Sequence, residues 1–517
     1  MSQKLIIWLT IGVYIVFMFV IGLLNRKNAT VGSEITVGKR NAGAWLSAMS
    51  YGTAYFSAVM FIGYSGRSGW DFWLYATLVG IGNAIFGTWL AWKILARRTR
   101  DISCRLHLKS MPQFLANRYN SKGMKTFAAI VIFIFLTPYS ASVYNGLSSV
   151  CSVVLGIDEI ICRIIIALTS ILLLVLGGYV ATLKADFVQG IILMVGVALL
   201  IFFVVRSDKV GGFEGISNIW NSMKTETTGL RPISSKNMIN LVATIVMTSF
   251  GTWGLPQMIH KYYTIKDEHE VKRGTVISTI FSLLVAGGGY FIGSLSHNFF
   301  KELPEGGIDY IIPNMLLQSN LPDILLGVIL MLLISASVST LSAITLTACT
   351  TMSMDIVKVR LKKSLSKSAD AWVIRAFCAI FVILSFVISV TDTPIYDMMS
   401  YSWGILSGAF LAPYVLSLFW KKLDKSGAWA GMMTGFVTAI IPAIAKIVCI
   451  CGGQDLFNGF FKTLSGYGAI FAVIAMLLSL AVCFAFGMLC KIKDEQEQKV
   501  VDFFYNGTVT SSAEQMV

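Results

Sequence analysis

Oxygen-bearing side chains crowd into one apolar stretch of this 517-residue chain. The run from Ile334 to Thr347 reads Ser335, Ser337, Ser339, Thr340, Ser342, Thr345 and Thr347 among small and aliphatic residues. Ser335, Ser339 and Ser342 recur at i, i+4 and i+7, which puts them on one helical face with Thr340 beside them. Hydroxyls joined by nearby backbone carbonyls make a hard, weakly charged cage. Such a cage suits an alkali cation such as Na+, which gives up part of its hydration and leaves again easily. The same residues also have a purely structural use, bonding the carbonyl four residues back and letting helices approach closely. Both uses stay open at this point.

Asp186, in the segment Leu183-Lys184-Ala185-Asp186, is the second informative residue. An acid at the start of an apolar run can ligate a cation, carry a proton or pair with Lys184 at the interface, and nothing local separates the three. Helix breakers are the third signal. Trp253-Gly254-Leu255-Pro256 interrupts another apolar run, where proline removes a backbone donor and restricts its predecessor. Gly52, Gly63 and Gly66 punctuate an earlier one. Non-helical backbone at membrane depth is tolerated where it lines a cavity, and breaks at matching positions point to a transport site. A plain proline kink is the alternative.

Other chemistry finds little support. His107, His260, His269 and His297 form no cluster with carboxylates inside an apolar run, and there is no HExxH, paired-aspartate or phosphate-binding Gly-Lys motif. An enzyme is therefore a poor fit, and no cofactor is expected. Transport, if present, must draw on an ion gradient, with Na+ as coupling ion. Nine scattered cysteines lack metal-ligand spacing, and Cys449 with Cys451 reads as a pair of free thiols.

The elements that must position these residues are membrane helices. The chain is 56% hydrophobic and only 13% charged. Apolar runs of about 20 residues recur throughout, each long enough to cross roughly 30 Å of hydrocarbon. They predict 13 spans, at approximately 5–24, 45–68, 73–96, 125–153, 160–178, 183–206, 239–262, 273–297, 322–355, 373–391, 396–421, 427–449 and 466–490. The first reads as a retained helix rather than a signal peptide, since it lacks a convincing basic start and a small-residue cleavage site, and more spans follow. About 30 of the 41 Lys and Arg fall on one side, notably in 97–125 and 357–375. That side is expected to be cytoplasmic, with the N-terminus outside and the C-terminus inside. The net charge of +14 thus reflects topology and not nucleic-acid binding. The expected location is the cell's inner (cytoplasmic) membrane, with lipid as the surrounding partner. The tail beyond Lys491, charged and then Ser/Thr-rich, reads as disordered.

Two stretches carry a family resemblance. Ser417 to Gly435, with Lys422, Gly427-Ala428, Gly431 and Gly435, resembles the C-terminal signature of the solute:sodium symporter family, and Ser110 to Tyr119 resembles its early cytoplasmic loop. The resemblance runs from about Gly38 to Lys491 and is nearest the bacterial sodium/pantothenate and sodium/proline branch. It implies an all-α LeuT-like core of two inverted five-helix repeats. The implied layout is a leading helix and loop (1–44), a first repeat (45–206), an external loop (207–238), a second repeat (239–421), two added helices (422–490) and a tail (491–517).

Carried over by residue, the resemblance implies a main Na+ site from the carbonyls of Thr53, Phe56 and Ala336 and the hydroxyls of Ser339 and Thr340. A second cation site would use Asp186, Ser339 and Ser342, although a further serine of that site is Ala343 here. The implied solute contacts are Ser57, Phe61, Tyr139, Thr252 and Trp253. Where the proline branch has aromatic residues this chain has Thr248 and Thr252, and a polar position of sugar carriers is Met60. The expected activity is sodium-driven import of a small amino acid or carboxylate. A proton-coupled carrier on the same fold and a sodium/sugar symporter are the alternatives; a channel lacks a charged pore ring, and a receptor lacks a signalling module. The oligomeric state is not legible.

Overall fold

The computed structural model describes residues 9, 12–17, 20, 40–224, 234–361, 367–391, 393–453, 459–489 and 495–506; the side chains of 169–181, 224, 360, 361, 367, 368, 495, 496 and 506 are not described. The regular structure of the described residues is helical, apart from one isolated bridge between Ala42 and Ile265. Among them, nine helices are long and apolar enough to cross a membrane, or ten if a bent pair counts as one span. The expected count of 13 is not established. Most of span 1 lies outside the described residues, spans 2 and 3 share one helical run (Val59–Arg105), and spans 5 and 6 share another (Glu159–Arg206). The 48 residues of that second run exceed twice the length needed for one crossing.

Two spans are broken. Span 2 is helical over Ala44–Tyr55 and stops where Phe56 turns extended (φ −107°, ψ 103°). It resumes at Val59, whose N–H is capped by the Ser57 hydroxyl at 3.2 Å. Span 7 runs Ser235–Phe250, tightens over Gly251–Gly254, and restarts at Pro256 after a 55° bend. Leu255 sits at φ −82°, ψ 121°, the extended region that a following proline enforces. The glycines of span 2 do not make its break. A Cβ on Gly52 would lie 2.3 Å from the Phe281 ring, and one on Gly63 would lie 2.4 Å from Ile395, so these positions admit neighbouring side chains instead.

The signature glycines act the same way. Gly427, Gly431 and Gly435 line one face of Lys425–Val448, spaced one helical turn apart. A Cβ on Gly431 would meet Cys483 Sγ at 2.2 Å, and one on Gly435 would lie 1.8 Å from the Gly408 carbonyl oxygen. Lipid tails are as apolar as leucine, so such backbone-to-backbone approach is what holds membrane helices together. Gly435→Ala is therefore expected to cost about 1–3 kcal/mol through overpacking. The fall in melting temperature of purified protein measures it, and an unchanged value would show that the two helices separate freely.

The C-terminal segment corrects the expectation of disorder over part of its length. Glu495–Asn506 forms an amphipathic helix, with Phe504 buried against the Phe114 ring at 5.3 Å. Arg105 donates to the carbonyls of Phe504 and Tyr505, and the Tyr505 hydroxyl donates to the Ser417 carbonyl at 2.6 Å. The aromatic cluster after Val501 supplies the apolar area that its charged flanks conceal in a reading of composition.

Candidate ion and solute site

A helix that stops in mid-membrane leaves its last carbonyls without intrahelical donors. In span 2 the Phe56 N–H still reaches the Gly52 carbonyl at 2.9 Å, but Thr53 lies beyond the ladder. Its carbonyl instead accepts from the Thr340 hydroxyl at 3.0 Å. Thr53, Phe56, Ala336, Ser339 and Thr340 are all at most 1% exposed. The break of span 2 thus faces the hydroxyl run of span 9, within Asp323–Thr351. Two oxygens 3.0 Å apart are close enough to share one cation. Phe56, being extended, also turns its carbonyl out of the helical ladder.

One residue before Thr340, Ser339 points to a different partner. Its hydroxyl donates to Asp186 Oδ1 at 2.6 Å. Asp186 Oδ2 accepts from the Ser50 hydroxyl and lies 3.2 Å from the Lys261 ammonium, which also donates to Ser50 Oγ at 2.6 Å. Asp186 is 0% and Lys261 3% exposed. Removing two charges from water costs several kcal/mol per ion, and only good geometry with further hydrogen bonds recovers it. Ser50 and Ser339 supply those bonds. The acid therefore pairs with Lys261 of span 7. Ser342 is buried, but no hydrogen bond joins it to Asp186 among the described residues. On the far side Tyr14 of span 1 packs with Ala185 and Val338 and accepts from Gln189 at 2.8 Å.

The residues expected to touch solute divide into two groups. Ser57 and Tyr139 come together at the break of span 2, the Tyr139 hydroxyl lying beside Ser57 without a hydrogen bond that satisfies it. Trp403 of span 11 joins them, its ring edge-on to Tyr139 at 5.7 Å and near Tyr55 at 6.0 Å. Its indole N–H is buried with no partner among the described residues. The others face elsewhere. Thr252 donates to the Ser249 carbonyl at 2.8 Å and reaches Gly87 at 3.3 Å, Trp253 donates to the Phe86 carbonyl at 3.0 Å, and Phe61 packs beside Gly289 of span 8.

Two charged networks lie near the ends of these spans. At the end of span 2 marked by Arg67, its guanidinium lies 3.1 Å from Asp397 and 3.5 Å from Asp71, over the Tyr396 ring. At the end bearing the basic loops, Asp355 accepts from Ser110 at 2.6 Å and Gln113 at 2.9 Å, and lies 3.5 Å from Lys125.

Sequence reasoning missed Ser50, Lys261 and Trp403. Lys261 had a signal, since it falls inside the expected span 239–262, yet a lysine one residue from a span end reads as an interfacial anchor. Ser50 stands one turn before Thr53, and only the position of span 6 gives that spacing meaning. Trp403 had no signal beyond its residue type.

The sequence profile of the "Sodium:solute symporter family" matches residues 36–435. The chain belongs to this family. Among similar curated proteins is the sodium/proline symporter of Salmonella typhimurium, 24% identical over 451 residues, covering 84% of this chain and 86% of that protein. The high-affinity proline transporter of Bacillus subtilis is 27% identical over 445 residues, covering 83% and 90%. The fold is similar to that of a Na+-coupled sialic acid symporter solved in a substrate-bound outward-open state. That match has a TM-score of 0.73 at 16% identity and covers 94% of this chain and 97% of the other. A nucleobase-cation-symport-1 family transporter matches at TM-score 0.50 and 13% identity, over 90% and 98%. This family member thus has the LeuT-like architecture.

Proposed function

We propose that this protein is a sodium-coupled secondary active symporter that imports a small amino acid or carboxylate, with proline and pantothenate as the first solutes to test. The observation that carries the reading is the hydrogen bond from Thr340 to the orphaned Thr53 carbonyl across two facing helices. A cation there would take the carbonyls of Thr53, Phe56 and Ala336 and the hydroxyls of Ser339 and Thr340, replacing that direct bond and tethering the broken helix. Bacterial relatives named as proline symporters support the solute class.

In this reading Na+ and solute bind from outside, where positive-inside charge puts the Arg67 end of span 2, and are released toward the basic loops. A potential of 100 mV contributes about 2.3 kcal/mol per charge moved, or roughly 50-fold accumulation per Na+. Coupling is reciprocal, so solute should tighten Na+ binding by the factor that Na+ tightens solute binding.

The direct test is uptake into proteoliposomes of proline, other amino acids, pantothenate, sialic acid and sugars, with an imposed Na+ gradient or an imposed pH gradient. Uptake driven by Na+ alone is the expected result. Uptake driven by protons without Na+ would reject the proposal.

Trp403→Phe keeps the ring and removes the buried N–H. With whichever solute is transported, the half-saturation concentration should rise about 5- to 10-fold, as expected for one lost hydrogen bond of about 1 kcal/mol. Unchanged kinetics would take Trp403 out of the solute pocket.

A further inference from the structure

The Asp186 pocket resembles a cation site in its donor set, and it already holds a cation. Its carboxylate faces the Lys261 ammonium at 3.2 Å, with Ser50 bonded to both and Ser339 bonded to the other carboxylate oxygen. We propose that Lys261 is a built-in replacement for a second alkali cation, so that the protein binds one Na+ and not two. Removing the ammonium converts the pocket into a second Na+ site. The inference rests on the reading of Thr53, Ser339 and Thr340 as the main site.

Three observations carry it. Both oxygens of Asp186 are committed, Oδ1 to Ser339 and Oδ2 to Ser50 and Lys261, so an entering ion would have to displace the ammonium. Ser50, which holds the ammonium, precedes Thr53 of the main site by three residues, a rise of roughly 4.5 Å along the same helix. A second mobile cation beside it would face a fixed like charge in a buried setting where screening is weak. The hydroxyls nearest in sequence do not compensate, since Ser342 is not bonded to Asp186 and residue 343 is alanine.

The placement has a mechanical consequence. Lys261 lies in the last turn of Pro256–Tyr262, the inner half of broken span 7, and Ser50 lies in Ala44–Tyr55, the inner half of broken span 2. The lysine thus ties the two broken helices to span 6 and to span 9 by a covalently held charge. An exchangeable ion in this place would release that tie on leaving. The lysine keeps it throughout the cycle, leaving the main site as the exchangeable contact.

The experiment is equilibrium binding of radioactive 22Na+ to the purified full-length chain, counted per protein. Wild type should bind one Na+. Lys261→Gln should bind two, and adding Asp186→Asn to Lys261→Gln should remove the extra ion. Lys261→Ser serves in its place should glutamine prevent folding, because its small hydroxyl leaves room for an ion and offers an oxygen. Two ions bound to wild type, or no ion gained over wild type by a folded Lys261→Gln and a folded Lys261→Ser, would overturn the proposal. Failure of the main-site reading looks different: wild type then binds no Na+, whereas Lys261→Gln still gains one ion that depends on Asp186.

Discussion

Ser339→Ala combined with Thr340→Ala should weaken Na+ activation of transport by about 10- to 100-fold while the protein still reaches the membrane. Both hydroxyls are buried, and Thr340 is in place at 3.0 Å from the Thr53 carbonyl. A hydrogen-bonding group that contacts a charge contributes about 1.5–3 kcal/mol, and each 1.4 kcal/mol is tenfold in a dissociation constant. The loss should appear in the Na+ concentration for half-maximal uptake, with the amount of protein in the membrane held equal. Thr340→Ser is the matched control, because it keeps the oxygen and removes only a methyl. Sodium dependence that survives the double substitution would leave the facing helices as packing elements alone.

The largest effect on stability is expected at Asp186. Asp186→Asn leaves the Lys261 ammonium buried opposite a neutral amide, and breaking a buried pair on one side costs about 3–5 kcal/mol. Lys261→Met alone leaves the carboxylate in the same position. The double variant Asp186→Asn with Lys261→Met removes both charges and should recover most of the loss, since an uncharged pocket of similar volume has nothing left to desolvate. Melting temperatures of the four proteins form a cycle whose coupling energy measures the pair. Additive losses would mean that water reaches the pocket and that the 3.2 Å contact contributes nothing.

These two residues mark how far the sequence could be read. Asp186 stood out because a carboxylate in an apolar run is expensive unless paired, but its partner was open between a mobile cation, a proton and Lys184. The choice fell to a lysine 75 positions later, and nothing in either local segment predicts that pairing. The glycines of span 2 give the opposite lesson. In the sequence they read as helix breakers, yet Gly52 and Gly63 admit neighbouring side chains and the break itself formed at Phe56 and Ser57, where a side-chain hydroxyl caps the restarted helix. Span 7 was easier, because proline acts on its own neighbour through fixed sterics.

What the sequence determined by itself was the solvent and the class. Recurrent apolar runs of about 20 residues point to membrane helices, because such a run satisfies its backbone within itself only as a helix, whereas barrel strands are shorter and alternate. The serine and threonine run and the proline break also named the segments of interest, since both signals are confined to one helix. Tertiary structure decided which oxygens meet. Thr53 became available only because its helix ends one turn too early, and Ser339 and Thr340, adjacent in the chain, bond to two different elements because a helix turns about 100° per residue. Whether a polar group in the membrane binds an ion or another side chain depends on what stands across from it, and that is a property of packing.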